Sequence, residues 1–324
     1  MEGRFVEIPP ELKLKIGTRE ISEAGSGLSV LLFDEPSPAG MHICSSAAGT
    51  RQTDGLKSGH VVQQIHALLL TGGSSFGLDA TGGVLNYLRE QGKGMQTPYG
   101  VVPSCPSAVI FDIGFKGNPA APSAEDAYLA CESARAGKME CGSIGAGYGA
   151  TVAKLRGLPY GMKGGQGMAI HSEGDLHIMA LAVVNAYGEV YDSARGKTLA
   201  GVRKSETSLE LEGSEELIRK CGYLSGQSFT NTTLAVIVTN GRLDKNACIK
   251  AAQMASAGIA RAIRPAFSPT DGDVVFVVST GEKDTSPGQT GSVGAELLEQ
   301  AIHRAVIHAD GLGVIPSHSD VFID

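Results

Sequence analysis

TTLAVIVT at positions 232–239 decides the fold, together with the three segments C-terminal to it: DKNACIKAAQMASAGIARAI at 244–263, DVVFVVS at 273–279 and the periodic run 293–308. The strand-like pair, 232–239 and 273–279, is short, continuous and rich in β-branched residues, as buried strands are. In 244–263, Ala247, Ala251, Met254, Ala255 and Ile259 fall on one helical stripe. Strand, helix, strand, helix, preceded by longer strands, predicts an α/β architecture of layered sheets covered by helices, and neither a bundle nor a pure barrel.

Working toward the N-terminus, the two strands 168–171 and 177–185 come first, and Gly188 turns the chain toward a further strand at 189–191. A helix over 124–136 has Ser123 as its N-cap and Gly137 just past its end. Residues 101–102 and 108–113 read as strands, and 65–70 as a strand that ends at a glycine pair and leads into a helix over 78–89. Between the two halves, 205–213 is acidic and aperiodic and reads as a loop. It is followed by a short helix at 215–220 and a polar linker ending at Asn231. No composition break divides the chain, so residues 1–324 are expected to form one domain.

Glycine supplies 44 of the 324 residues, nearly twice the usual share of about 7%. With no repeat period and no low-complexity tract, these glycines are positional, marking tight turns and close backbone approaches. A net charge of −7 and the lack of a basic stripe argue against a nucleic-acid partner. Cys44, Cys105, Cys131, Cys141, Cys221 and Cys248 form no CxxC pair, and MEGRFVEIPPELK lacks the apolar core of a signal peptide. A cytoplasmic protein with reduced thiols is expected. The longest apolar run, around 178–184, is far shorter than the roughly 18 residues of a membrane helix, so no membrane partner is expected. The eight histidines include no HExxH, and no Cys/His set has zinc spacing. Neither a metal nor a cofactor is expected.

Three segments could carry chemistry. GSSFG at 73–77 matches GxSxG between a strand and a helix, the context of a serine nucleophile elbow centred on Ser75, with His303, His308 and His318 downstream. Its glycines serve a plain strand-to-helix turn equally well. GAGYGA at 145–150 fits a loose dinucleotide fingerprint but follows no convincing strand and precedes no acidic strand end, which leaves its backbone amides as possible oxyanion donors. Asn231-Thr232-Thr233 heads a strand after a polar linker, which taken alone is an ordinary strand start. Asp271-Gly272-Asp273 opens the next one, and carboxylates two apart on an extended backbone face one side. A surface turn carries such a triplet just as readily.

LTGGSSFGLDA at 70–80, GAGYGATVAK at 145–154, VVNA at 183–186, NTTL at 231–234 and DGD at 271–273 occur in the order of a known family. Together they resemble the L-aminopeptidase/D-esterase family, which includes self-processing β-aminopeptidases and nylon-oligomer hydrolases. The resemblance is strongest to members with a threonine nucleophile. It implies an αββα sandwich, no cofactor, and self-cleavage between Asn231 and Thr232 into chains 1–231 and 232–324. It also implies a homo-oligomer, a tetramer of cleaved units, acting on a small peptide or oligoamide. Thr232 is then the nucleophile, Asp271 and Asp273 its positioning partners, and Asn185 and Lys154 the neighbours that stabilise the oxyanion and support processing. Ser75 becomes a turn residue. The chain departs from the family at Phe111, where a tyrosine is frequent, and at Tyr148, where a smaller side chain is common; both bear on the substrate pocket.

The chemistry explains why a chain of this kind must be cut. The nitrogen of an internal Thr232 is tied up in an amide and cannot act as a base. Cleavage would free an α-amine with a reference pKa of about 7.7–8.0, able to take the hydroxyl proton. Asp271 and Asp273 would favour its charged form, and Lys154 its neutral form.

Overall fold

In the computed structural model, which describes residues 3–222 and 231–322, the principal strands are β1 (Leu14–Ile21), β2 (Ser26–Ile43), β3 (Thr50–Arg51), β4 (Gln64–Thr71), β5 (Ser107–Val109), β6 (Gly165–Glu173), β7 (Leu176–Asn185), β8 (Thr232–Gly241) and β9 (Val274–Lys283). They pair in the order β6-β7-β8-β9-β2-β4-β5-β3, and β1 pairs with β2. The long strand β2 serves two sheets. Its first half pairs with β1 and β4, its register slips between Leu32 and Ser37, and its second half, from Ala39 to Ile43, pairs with β9. Pro36 and Pro38 sit at this irregularity, where a missing N–H is tolerated. No strand over 14–43 is legible in the sequence, because polar DEPSP at 34–38 interrupts the apolar run at the bend.

Because side chains alternate along a strand, each sheet presents two buried faces. Met179, Leu181 and Val183 of β7, Leu234, Val236 and Val238 of β8, and Val274, Phe276 and Val278 of β9 meet Leu31 and Phe33 of β2 and Leu68 and Leu70 of β4 between the sheets. The opposite face of the first sheet carries Ala180, Ala182, Ala235, Ile237, Val275 and Val277. It packs on helices α3 (Lys245–Ala255), α4 (Ala257–Ala262) and α5 (Pro287–Ile307). The opposite face of the second carries Leu28, Val30, Ala67 and Leu69, and packs on Ala80, on Val84 and Leu88 of α1 (Thr81–Glu90) and on Ala127 and Ala130 of α2 (Ala124–Ser133), the other helical layer. Three cores in sequence, helix–sheet, sheet–sheet and sheet–helix, make the chain an αββα sandwich of mixed sheets covered by helices.

Local chemistry sets the helix boundaries. Ser123 caps the helix Ala124–Ser133 with a full capping box to Asp126, although the helix ends earlier than expected, at Ala134, which is extended. The stretch 244–263 is two helices rather than one. Asp244 caps the first by accepting from Ala247 N, and at the break Ser256 Oγ donates to Gln253 O at 2.7 Å, competing with the backbone ladder. Among the described residues no helix is long and apolar enough to cross a membrane.

Small residues let α5 approach the sheet. A Cβ at Gly167 would lie 2.0 Å from Ala301 O, a backbone atom of α5 that has no room to yield. Gly167→Val is therefore expected to lower stability by at least about 1–3 kcal/mol through overpacking, seen as a lower urea midpoint with an unchanged slope.

Candidate active site

Topology brings three strand ends to one place. β7 and β8 are antiparallel and β8 and β9 parallel, so the end of β7 meets the starts of β8 and β9. Asn185 stands directly opposite Thr232, and an isolated parallel bridge extends the β8–β9 ladder to Asn231 and Asp271. The last rung of that ladder falls on the Asn231–Thr232 peptide. Gly272 N–H donates to Asn231 O at 2.8 Å, and the Thr232 hydroxyl donates to the same oxygen at 2.5 Å. A Cβ at Gly272 would lie 2.8 Å from Thr232 Oγ1 and from Ala47 O, so glycine here leaves the hydroxyl its space.

The two carboxylates flank this glycine and are both buried. Asp273 Oδ1 accepts from Thr233 N at 2.6 Å, while Asp271 accepts from Tyr187 N at 3.2 Å and Ser268 N at 3.0 Å. They fix the backbones on either side of Thr232. Burial raises both above the ordinary carboxylate range; for Asp273, pushed up to about 7, the neighbouring Asp271 charge adds to it.

Asn185 and Lys154 form the other wall. Asn185 Oδ1 accepts from Lys154 Nζ at 2.9 Å and from Thr151 N at 3.0 Å, and Nδ2 donates to Phe111 O at 3.1 Å. Donors on one side and a carbonyl on the other fix which amide atom is which. Lys154 Nζ also reaches Asn185 O at 3.1 Å. Burial pushes this ammonium down to about 7, and Asp271 and Asp112 oppose that fall.

Asn231, Thr232, Asn185, Lys154, Asp271, Asp273 and the backbone of Phe111 thus meet in one cluster. Tyr148 is tied elsewhere: its hydroxyl accepts from Lys116 Nζ at 3.3 Å, with the ammonium 5.2 Å from the ring centre. Five of the six amides of the glycine-rich turn, all but that of Gly149, are given to acceptors within the protein. Gly145 N donates to Glu20, Ala146 N to Ser29 Oγ, and Gly147, Tyr148 and Ala150 to carbonyls within the turn. Ser75 lies exposed in the short helix Ser74–Gly77, and the residue with positive φ is Ser74, not Ser75. Its proposed histidines belong to the opposite helical layer or beyond, where His303 bonds Tyr191 O and His318 bonds Leu199 O. The Gly272 amide, Thr151, Ser268 and Ser45, whose Oγ accepts from Asp273 N at 2.8 Å, also belong to the site, and their contacts leave no mark in a linear pattern.

This sandwich, with strand ends converging on a buried threonine, is an N-terminal-nucleophile hydrolase fold. The chain is similar to the structure of the L-aminopeptidase D-Ala-esterase/amidase from Ochrobactrum anthropi, described as a variant of that fold, with a TM-score of 0.67 at 17% identity over 92% of this chain and 85% of the other. It belongs to peptidase family S58, whose model matches residues 13–318. An uncharacterised aminopeptidase of Mycobacterium leprae is 32% identical, covering 99% of this chain and 91% of the relative. The 6-aminohexanoate-oligomer endohydrolase of a Kocuria species is 29% identical, covering 90% and 83%. The chain is a hydrolase of peptide or amide bonds.

The buried carboxylates carry a pH signature. The unfolded chain releases the Asp273 proton near pH 4 and the folded chain holds it to about pH 7. The stability this group contributes is therefore fully present below about pH 4 and lost as pH rises through about 7, at about 1.4 kcal/mol for each tenfold difference in proton affinity. In a Thr232→Ala background, Asp273→Asn removes this titration while an amide oxygen still accepts from Thr233 N. Urea unfolding of the two forms at pH 5 and pH 8 should show the stability difference moving in favour of the Asn variant at pH 8; a pH-independent difference would contradict the raised pKa.

Proposed function

We propose that the chain cuts itself between Asn231 and Thr232 and then uses the freed Thr232 to hydrolyse amide bonds of small peptides or oligoamides. One observation carries this reading: the Asn231 carbonyl oxygen receives both the Thr232 hydroxyl and the Gly272 amide, in a buried cluster with Asp271, Asp273, Asn185 and Lys154. Oγ1 adds to the Asn231 carbonyl carbon, and charge developing on the carbonyl oxygen is stabilised by the Gly272 N–H already aimed at it. The C–N bond then breaks, the hydroxyl proton passing to the departing Thr232 nitrogen. Water hydrolyses the resulting ester, leaving the Asn231 carboxylate, the Thr232 hydroxyl and a free α-amine.

In turnover the amine takes the hydroxyl proton as Oγ1 attacks the substrate carbonyl, with the Asn185 Nδ2 side facing the oxyanion. The leaving amine takes that proton, and water releases the acyl group. The relatives' aminopeptidase and oligoamide-hydrolase names support this substrate class. Phe111 in place of a hydroxyl-bearing side chain makes this part of the pocket more apolar.

Denaturing electrophoresis of the purified protein should show two fragments, the smaller beginning Thr-Thr-Leu on N-terminal sequencing. Thr232→Ala should give one intact, folded, inactive chain, and Ser75→Ala should leave processing in place; an uncut wild-type chain that hydrolyses amides would sink the mechanism. Gly272→Ala places a methyl against Thr232 Oγ1 and is expected to slow self-cleavage about 100-fold, the scale of a 1 Å misplacement of a reacting group. A time course of fragment appearance measures it.

A further inference from the structure

Two buried charges that the reaction scheme does not use lie behind Asn185. Lys163 is wholly buried, and its ammonium donates to Gly147 O at 3.0 Å, Ala150 O at 2.9 Å and Gly164 O at 2.9 Å. Three carbonyl acceptors match the three donors of an ammonium. Lys163 also stands directly opposite Thr151 in the short antiparallel pair formed by Thr151–Val152 and Met162–Lys163. The Ala150–Thr151 peptide is thus held at both ends. Its carbonyl receives Lys163, and its N–H is given to Asn185 Oδ1.

Asp112 occupies the matching position on the other side. Its Oδ1 accepts from Gly73 N at 2.7 Å, anchoring the Phe111–Asp112 peptide whose Phe111 carbonyl receives Asn185 Nδ2. A Cβ at Gly72 would lie 2.2 Å from Asp112 Oδ2, and one at Gly149 would lie 2.7 Å from it. These glycines, one from each of two sequence motifs, leave the carboxylate its space.

We propose that Lys163 and Asp112 are a pair of positioning residues that fix the Asn185 side-chain amide, Lys163 through the Ala150–Thr151 peptide and Asp112 through the Phe111–Asp112 peptide. Asn185 Oδ1 and Nδ2 differ only in which groups face them, so a rotated amide would present the wrong atom to an oxyanion. Each charge also polarises its peptide, strengthening the bond made at the other end. Burial shifts both groups toward neutrality, and their mutual attraction opposes the shift in each.

The proposal rests on the reading of Asn185 as oxyanion donor, and a double-mutant cycle tests it. Lys163→Met and Asp112→Asn are made in the wild-type and Asn185→Ala backgrounds, with alanine p-nitroanilide as probe, and Thr232→Ala as control. In the wild-type background each is expected to lower kcat about 10-fold or more with little change in KM, and in the Asn185→Ala background to lower it no further, the non-additivity of residues acting through one another. Equal losses in both backgrounds, or wild-type kcat in a folded Lys163→Met enzyme, would overturn the proposal. If Lys163→Met fails to fold, Asp112→Asn, which conserves shape, carries the same comparison. The crystal structure of either variant should show the Asn185 amide rotated or spread over two positions, and an unmoved amide counts against the pair. A Thr232→Ala enzyme that still releases p-nitroaniline would instead refute the reading of Thr232.

Discussion

The hydrogen bond from Gly272 N–H to the Asn231 carbonyl is where the fold and the chemistry become one constraint. It is the last rung of the parallel ladder between β8 and β9, whose register is set by Leu234 against Val274 and the apolar residues beyond them. A slip of one residue would turn Leu234, Val236 and Val238 out of the inter-sheet core and move the carbonyl away from Gly272. The energy that specifies the register comes from buried Val, Leu and Phe side chains. The site thus inherits its geometry from packing that contains no reactive group.

The same economy explains the glycine content. Gly167 admits the backbone of α5 to the sheet, Gly272 admits the Thr232 hydroxyl, and Gly72 and Gly149 admit the Asp112 carboxylate. None of these four has a positive φ. Their value is the missing Cβ, where backbone or a polar atom occupies the place a methyl would fill. That distinguishes them from the turn glycines Gly73 and Gly137, which have left-handed backbones.

How legible the protein was in its sequence depends on the range of the forces involved. The strands and helical stretches from Thr232 onward are legible because their patterns are local, although the break at Ser256 that divides 244–263 into two helices leaves no mark in the stripe. β2 is missed because its bend carries prolines and acidic residues, and only pairing with two different sheets makes it one strand. Thr232, Asn185, Lys154, Asp271 and Asp273 were legible through a family resemblance rather than through spacing, and the structure brings them together. Lys163 was invisible: a lysine among glycines looks solvated, and only tertiary structure supplies its three carbonyls. The use of the 145–150 amides is likewise set by tertiary contacts: Glu20 and Ser29, far away in sequence, take two of them.

The charges around Thr232 have a direction built into them. In the intact chain Asp271 and Asp273 share a buried site in which Lys154 acts on Asp271; burial raises the proton affinity of both carboxylates, and the Asp271 charge raises that of Asp273 further. On the proposed reading, self-cleavage adds an α-amine to this cluster. Protonated, it stabilises both carboxylates as anions; neutral, it is the base the hydroxyl needs. The carboxylates draw it toward the first state and Lys154 toward the second. Lys154, itself brought down to about 7 by burial, adds its own charge only while protonated. The proton inventory of the cluster, and not the pKa of any single member, therefore sets how much of the enzyme holds a working base, and its titration belongs to the coupled group.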